Sequence, residues 1–389
     1  MHNFLVILFI CSVFLILQSY LFYPLWMILF TRKNKKDHDT YSANNELPTV
    51  GILIAAYNEE KIIGEKIISV FKTTYPSAKI NVYVGSDASN DKTDEIISEL
   101  SKIYPNLNLI KFGGRTGKAN IINALAEKAN EEIFILTDAN VIFKENTIFN
   151  LVRHFKDQNF AQVCANIIKV SGNDLGIAKQ EKSYIVFENR IKYAEYVNWN
   201  IVMGAEGGCY AIRKQFYAPV PKNFFMDDFY ITMNVIEKGK KIVFDKDAIC
   251  YEDVPTQAKE EFKRKVRISI GNFQNLFRYK KLLCSFWKGS AIAFLSHKVL
   301  RWLTPFFLLV CLICSAALLF HSPVFLVLFI GQVVLMLFPV LDLISPFKIS
   351  IFKFISHFYF MNLALLKGFF MFAKGIETSI WQPTQRNVQ

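Results

Sequence analysis

Cysteine is scarce and unpatterned: seven residues in a chain of 389, an odd number. Cys11, Cys311 and Cys314 lie in apolar runs, and Cys164, Cys209, Cys250 and Cys284 stand alone, which excludes a disulfide-stapled secreted module and a thiolate metal site. Acidic residues are also in deficit, 33 against 45 Lys and Arg, leaving a formal charge of +12. The basic clusters border apolar segments instead of lining a free domain face, so the excess charge argues for a membrane surface and against nucleic acid. An intact phosphate-binding loop is absent as well, because Gly117-Lys118 is followed by Ala119 and no glycine stands five residues before Gly117. Charge is missing altogether between Phe4 and Phe30.

That uncharged run is long enough to span a bilayer, which needs about 20 apolar residues. A cleaved signal peptide carries its positive charges in front and small residues behind. Here Met1-His2-Asn3 comes first, Leu25-Trp26-Met27 comes last, and Arg32, Lys33, Lys35 and Lys36 follow. The expectation is an uncleaved anchor, residues 1–31, with its positive flank and everything after it on the cytoplasmic side. Residues 32–48 are polar, end at Pro48 and read as a linker.

From residue 49 to 258 the pattern is that of a water-soluble α/β domain. Val50 to Ala56 is an apolar strand, and Ile62, Ile63, Ile67, Ile68 and Phe71 then recur on one helical face. Strands at Ile80–Val84, Leu107–Phe112 and Ile133–Leu136 follow, with helices at Thr93–Tyr104 and Lys118–Ala129 between them. This alternation predicts a mostly parallel sheet covered on both faces, with ligands at the carboxyl ends of its strands. Residues 259–298 are charged but periodic, with Val266, Ile270, Phe273 and Phe277 on one face, as in amphipathic helices at a membrane interface. Residues 299–375 hold spans near Leu300–Phe320 and Val324–Leu341. A third apolar segment, Phe354–Phe372, is long enough to span, yet Lys353, His357, Lys367 and Lys374 share one sector of it, so two or three spans are both open. Residues 376–389 form a tail.

Carboxylates gather where the strands end. Asp87 follows the second strand and can accept hydrogen bonds from a base or ribose, whereas Asp91 suits a turn or helix cap. Asp138 and Asn140, two apart at the end of the fourth strand, suit Mg²⁺ or Mn²⁺ if a diphosphate supplies further oxygens, though a capped turn without an ion fits the same residues. Asp227 and Asp228 precede a helical run among aromatic residues, where desolvation would lift a carboxyl toward the range of a general base. Lys263, Arg264, Lys265 and Arg267 form a basic cluster that suits diphosphate or lipid headgroups, and Gly204, Gly207 and Gly208 mark tight turns or close backbone approach around Glu206.

The order of these features resembles that of the membrane-bound family 2 glycosyltransferases, the group containing cellulose, hyaluronan and poly-N-acetylglucosamine synthases. Ala55-Ala56-Tyr57-Asn58-Glu59-Glu60 resembles the first nucleotide-site strand end, Asp87 the uridine-binding aspartate, and Lys118 a lysine of the same pattern. Asp138 matches the first residue of the Asp-x-Asp motif, with Asn140 in place of the second. Asp228 matches the catalytic base, and Asp227 stands where the family has glutamate. Arg264-Lys265-Val266-Arg267-Ile268 occupies the place of Gln-x-x-Arg-Trp, so Arg267 carries over while Arg264 replaces the glutamine and Ile268 the tryptophan. Gly204 to Tyr210 resembles the acceptor-site segment, and both His297–Trp302 and Trp381–Arg386 resemble tail motifs of polysaccharide-forming members.

The resemblance implies a GT-A-like catalytic domain in a multi-pass protein of the cytoplasmic membrane. Its reaction would be inverting transfer from a nucleotide-diphospho-sugar, a UDP-sugar first among them, to a polysaccharide or lipid-linked acceptor. Asp227, Asp228 and Arg267 would be catalytic. Ala56, Tyr57, Glu59, Asp87, Lys118, Asp138 and Arg264 would bind the donor, Asp138 and Asn140 the ion, and Gly204, Glu206, Gly207 and Gly208 the acceptor. Single addition to a lipid carrier and a non-catalytic scaffold are the alternatives. Three or four spans make a marginal pore, so a partner membrane protein or a second copy is expected to complete it.

Overall fold

The computed structural model describes residues 1–31, 38–170, 177–253, 258–344 and 350–375. Residues 32–37 of the linker, with Lys33, Lys35 and Lys36, and the tail 376–389 with its Trp381–Arg386 motif lie outside the described residues. The chain divides into two compact units, one built on Phe30–Thr256 and the other on Met1–Leu29 with Gln257–Ile376.

The first unit is organised by an eight-stranded sheet. Its strands are β1 (Val50–Ala56), β2 (Ile80–Ser86), β3 (Leu107–Lys111), β4 (Ile133–Asp138), β5 (Val141–Phe143), β6 (Phe160–Val170), β7 (Cys209–Arg213) and β8 (Lys241–Asp253). They lie in the order β3-β2-β1-β4-β7-β6-β8-β5. The pairs β1–β2, β1–β4, β2–β3 and β6–β8 are parallel, whereas β4–β7, β6–β7 and β5–β8 are antiparallel, so the sheet is mixed with a parallel majority. The uninterrupted apolar run of β1 fits its central place, with Val50, Ile52, Leu53 and Ile54 fully buried. Parallel register sets Ala55 beside both Gly85 and Asp138, so the strand ends that carry the polar residues are level with one another.

Helices Ile63–Phe71, Thr93–Ile103 and Lys118–Lys128 form where the apolar periodicity predicts them. Asp227–Glu237 begins at the paired aspartates.

Among the described residues, the second unit holds four helices long and apolar enough to cross a membrane: His2–Leu29, Gly289–Leu318, Pro323–Val340 and Phe352–Lys374. One expectation changes here. The helix expected from Leu300 already begins at Gly289, because the mostly small and apolar residues from Gly289 to Ser296 lead into it despite His297 and Lys298, and a boundary at residue 298 falls inside one helix. Helix Ala258–Tyr279 buries Val266, Ile270 and Phe273 against protein. Helix Ser350–Lys374 covers that face, with Phe262 against Phe360, Phe273 against Phe369 and Phe277 against Phe372. Close approach depends on Gly368, whose absent Cβ would meet the Ser269 side chain and lie 2.8 Å from the Val266 carbonyl oxygen.

Candidate active site

The parallel half of the sheet delivers its strand ends to one place. Asp87, one residue past β2, is 1% exposed, and its N–H donates to the Ala56 carbonyl at 2.8 Å. Its carboxylate accepts from the N–H groups of Thr116 and Gly117 and from Arg115 Nε at 3.1 Å. Gly117, at φ 88°, makes the left-handed turn that brings the loop over this aspartate. The Arg115 guanidinium also stacks 3.3 Å from the centre of the Tyr57 ring. Loop 113–117 therefore seals Asp87 with a residue that sequence reading passed over. Its only signal was a lone basic residue among three glycines, Gly113, Gly114 and Gly117, ahead of Lys118. Glu59 donates its N–H to Thr93 Oγ1 at 2.8 Å, and Asp91 accepts from the N–H of Thr93 at 3.0 Å, as a turn-forming aspartate does.

Lys118 opens helix Lys118–Lys128 and joins two regions of the chain. Its Nζ lies 2.7 Å from Asp138 Oδ1 at the end of β4 and 3.7 Å from Asp227 Oδ2 at the start of the next acidic helix. Burial alone would lower the Lys118 pKa, but Asp138, Asp227 and Asp228 outweigh it and hold the ammonium well above its ordinary value. Asp228 goes the other way. Burial, reinforced by the neighbouring charge of Asp227, pushes its carboxyl up to about 7, against the opposing pull of Lys118 and the Phe229 N–H.

Asn140 is not a strand residue. β4 ends at Asp138, and Asn140 sits in the turn before β5, 6% exposed, so the alternation expected to aim both side chains alike stops two residues before it. Its Nδ2 is buried without a hydrogen-bond partner, and a half-turn of the amide would present the oxygen instead without breaking a bond to that nitrogen. Among the described residues no three His, Cys, Asp or Glu side chains converge as a metal site. A carboxylate and an amide oxygen are hard donors, and they fit an octahedral Mg²⁺ or Mn²⁺ once diphosphate oxygens complete the shell.

Gly204 to Gly208 leads into β7. Glu206 accepts from Lys192 Nζ at 2.8 Å, and the Gly208 carbonyl accepts from the Asp138 N–H at 3.1 Å and from Thr137 Oγ1 at 2.9 Å. Gly207 matters by proximity, since a Cβ there would lie 2.9 Å from Asp228 Oδ2. Asp87, Lys118, Asp138, Asp227, Asp228 and the glycine segment thus belong to the first unit. Arg264 and Arg267 belong to helix Ala258–Tyr279 of the second, where Arg264 pairs with the buried Glu261 at 3.3 Å.

Residues 51–218 match the model of the glycosyl transferase family 2. The chain carries a family 2 glycosyltransferase domain. A poly-beta-1,6-N-acetyl-D-glucosamine synthase of Staphylococcus epidermidis is 24% identical over 248 residues, 61% of this chain and 58% of that protein. A beta-monoglucosyldiacylglycerol synthase of Trichormus variabilis is 28% identical over 128 residues, 32% of this chain but only 27% of that protein. In neither case does the likeness span two thirds of the relative. The glycosyltransferase fold is shared along nearly the whole length with a solved mannosyltransferase of Pyrobaculum calidifontis in complex with GDP-Man and Mn²⁺. The TM-score is 0.67 at 19% identity, over 94% of this chain and 99% of that one. The carboxylates of this transferase domain therefore sit on a GT-A scaffold.

Proposed function

We propose that the chain transfers a sugar, with inversion, from a nucleotide-diphospho-sugar to a growing polysaccharide or a lipid-linked glycan at the cytoplasmic face of the membrane. The observation that carries this reading is the Lys118 bridge, 2.7 Å from Asp138 and 3.7 Å from Asp227, which joins a donor-side strand end to the helix start bearing Asp228. Asp228, its carboxyl near 7, is poised to take the proton of an acceptor hydroxyl as that oxygen attacks the anomeric carbon, a contribution of typically about 10²–10⁴-fold. Lys118 neutralises charge as the nucleoside diphosphate departs. Asp138 and Asn140 would hold Mg²⁺ or Mn²⁺, which supplies Lewis-acid stabilisation of the diphosphate when bound. Asp87, Ala56, Tyr57 and Glu59 complete the donor site, a UDP-sugar being the first donor to try, and Gly204–Gly208 borders the acceptor.

The names of the relatives cover both a polymer product and a glycolipid product, and both are open as acceptors. Membrane association follows from the apolar helices, and we place the first unit in the cytoplasm, with a partner protein or second copy completing any polymer exit. The test is a screen of labelled nucleotide sugars on membranes containing the protein, with lipid-extractable and polymeric products separated. A ladder of lengths supports polymerisation, one added sugar supports the single-addition reading, and no transfer from any donor supports a scaffold. Asp228→Asn should abolish transfer while nucleotide binding stays, and excess chelator should stop turnover.

A further inference from the structure

Helix Ile63–Phe71 buries Ile63, Ile67 and Val70 against the sheet, and in the same face it buries a lysine, Lys66, at 0% exposure. An ammonium is strongly disfavoured in such a place unless its hydrogens are used. Lys66 Nζ donates to Thr137 Oγ1 at 3.0 Å and to the Val141 carbonyl at 2.5 Å, and it faces the Phe143 ring, whose centre is 3.5 Å away.

Thr137 and Val141 are the two residues that flank Asp138-Ala139-Asn140. They belong to different ladders. β4 runs between β1 and β7, whereas among the described residues β5 pairs only with β8, and no β4–β5 ladder there holds the turn closed. Lys66 bonds to both sides of it. Thr137 Oγ1 passes the connection on, donating to the Gly208 carbonyl, which also receives the Asp138 N–H.

Resting on the reading of the site as a glycosyltransferase centre, we propose that Lys66 is a positioning residue: a buried clamp that sets the Asp138–Asn140 turn and, through Thr137, couples it to the Gly204–Gly208 segment. Lys66 lies beneath the site and acts through the turn it holds. Its role differs from that of an ordinary core residue because its two bonds end on the residues flanking the donor-side turn, and one of these, Thr137, bonds onward to the acceptor-side segment.

The test uses the full-length protein in detergent and two readouts. Lys66→Met keeps the volume and removes the charge and donors. Thr137→Val removes the relay, and Thr137→Ser retains it. Hydrogen–deuterium exchange should rise in peptides covering 137–141 and 205–209 for Lys66→Met and Thr137→Val, while peptides of β2 and β3 stay as in the wild type. Transfer should fall in kcat/KM on the order of a hundredfold, the penalty of a small misplacement at a reacting centre, with Thr137→Ser close to wild type. The double variant should be no worse than the poorer single one, because both break one connection. Unchanged exchange in both peptides overturns the clamp, and raised exchange with kcat/KM within about twofold overturns its positioning role. If Lys66→Met does not fold, Thr137→Val against Thr137→Ser decides by the same criteria. A wild type that transfers no sugar defeats the proposed function instead, and the exchange measurement still decides for or against the clamp.

Discussion

At the scale of the residue, the charge state of one carboxyl would set the pH behaviour of the proposed transfer. Asp228 must be ionised to accept a proton, and burial among Asp227 and apolar neighbours lifts its carboxyl to about 7. Transfer should therefore rise about tenfold per pH unit on the acid side and level off above about pH 8, measured as kcat/KM against pH. Lys118 opposes the lift, so Lys118→Met should move the midpoint upward as well as weaken donor binding; a midpoint that stays or falls refutes the coupling. Gly207→Ala would place a methyl 2.9 Å from Asp228 Oδ2 and should cut kcat about tenfold with nucleotide affinity nearly unchanged, checked by steady-state kinetics and calorimetry. Asp87, Asp138 and Asp228 were legible in the sequence because each follows an apolar run or opens a helical one. Arg115 and Lys66 were not. Arg115 meets an aspartate 28 residues earlier and Lys66 a threonine 71 residues later, and no local pattern encodes such pairings.

At the scale of the element, apolar runs revealed β1 to β4 and hid the rest. β6 and β8 contain Lys169, Asp245, Lys246 and Asp247, which break the alternation that marks a strand. The fold pairs Lys169 with Glu252 and Asp245 with Arg153 at 2.7 Å, and His154 hydrogen-bonds the same Asp245 carboxylate at 2.7 Å. The last apolar helix was ambiguous for a related reason, since its lysines speak against lipid while its phenylalanines speak for it. In the structure its glycine lets it lie against helix Ala258–Tyr279. Gly368→Val should overpack that crossing and destabilise the protein by about 1–3 kcal/mol, seen as a lower Tm in detergent. Gly331→Val is the control, because open space surrounds Gly331. Equal Tm values for the two variants would show that the crossing does not depend on a missing side chain.

At the scale of the whole molecule, the proposed orientation can be read with a thiol already present. Cys284 is exposed and lies between helix Ala258–Tyr279 and the span that begins at Gly289. A membrane-impermeant maleimide should label it in inverted vesicles and spare it in intact cells; labelling of intact cells would put that segment, and the proposed donor side, outside. The amino-acid sequence alone determined the class of fold and marked segments apolar enough to span a membrane, because apolar periodicity and runs of about 20 apolar residues are local consequences of burying side chains. It also determined which carboxylates stand at strand ends. Tertiary structure decided which of them meet. Parallel register sets Ala55 level with Asp138, Lys118 draws Asp138 toward Asp227, and the sheet core seats a lysine where the β4–β5 turn has no ladder of its own. Those outcomes depend on groups far apart along the chain, and only burial, which strengthens each charge and penalises each unpaired one, selects the arrangement.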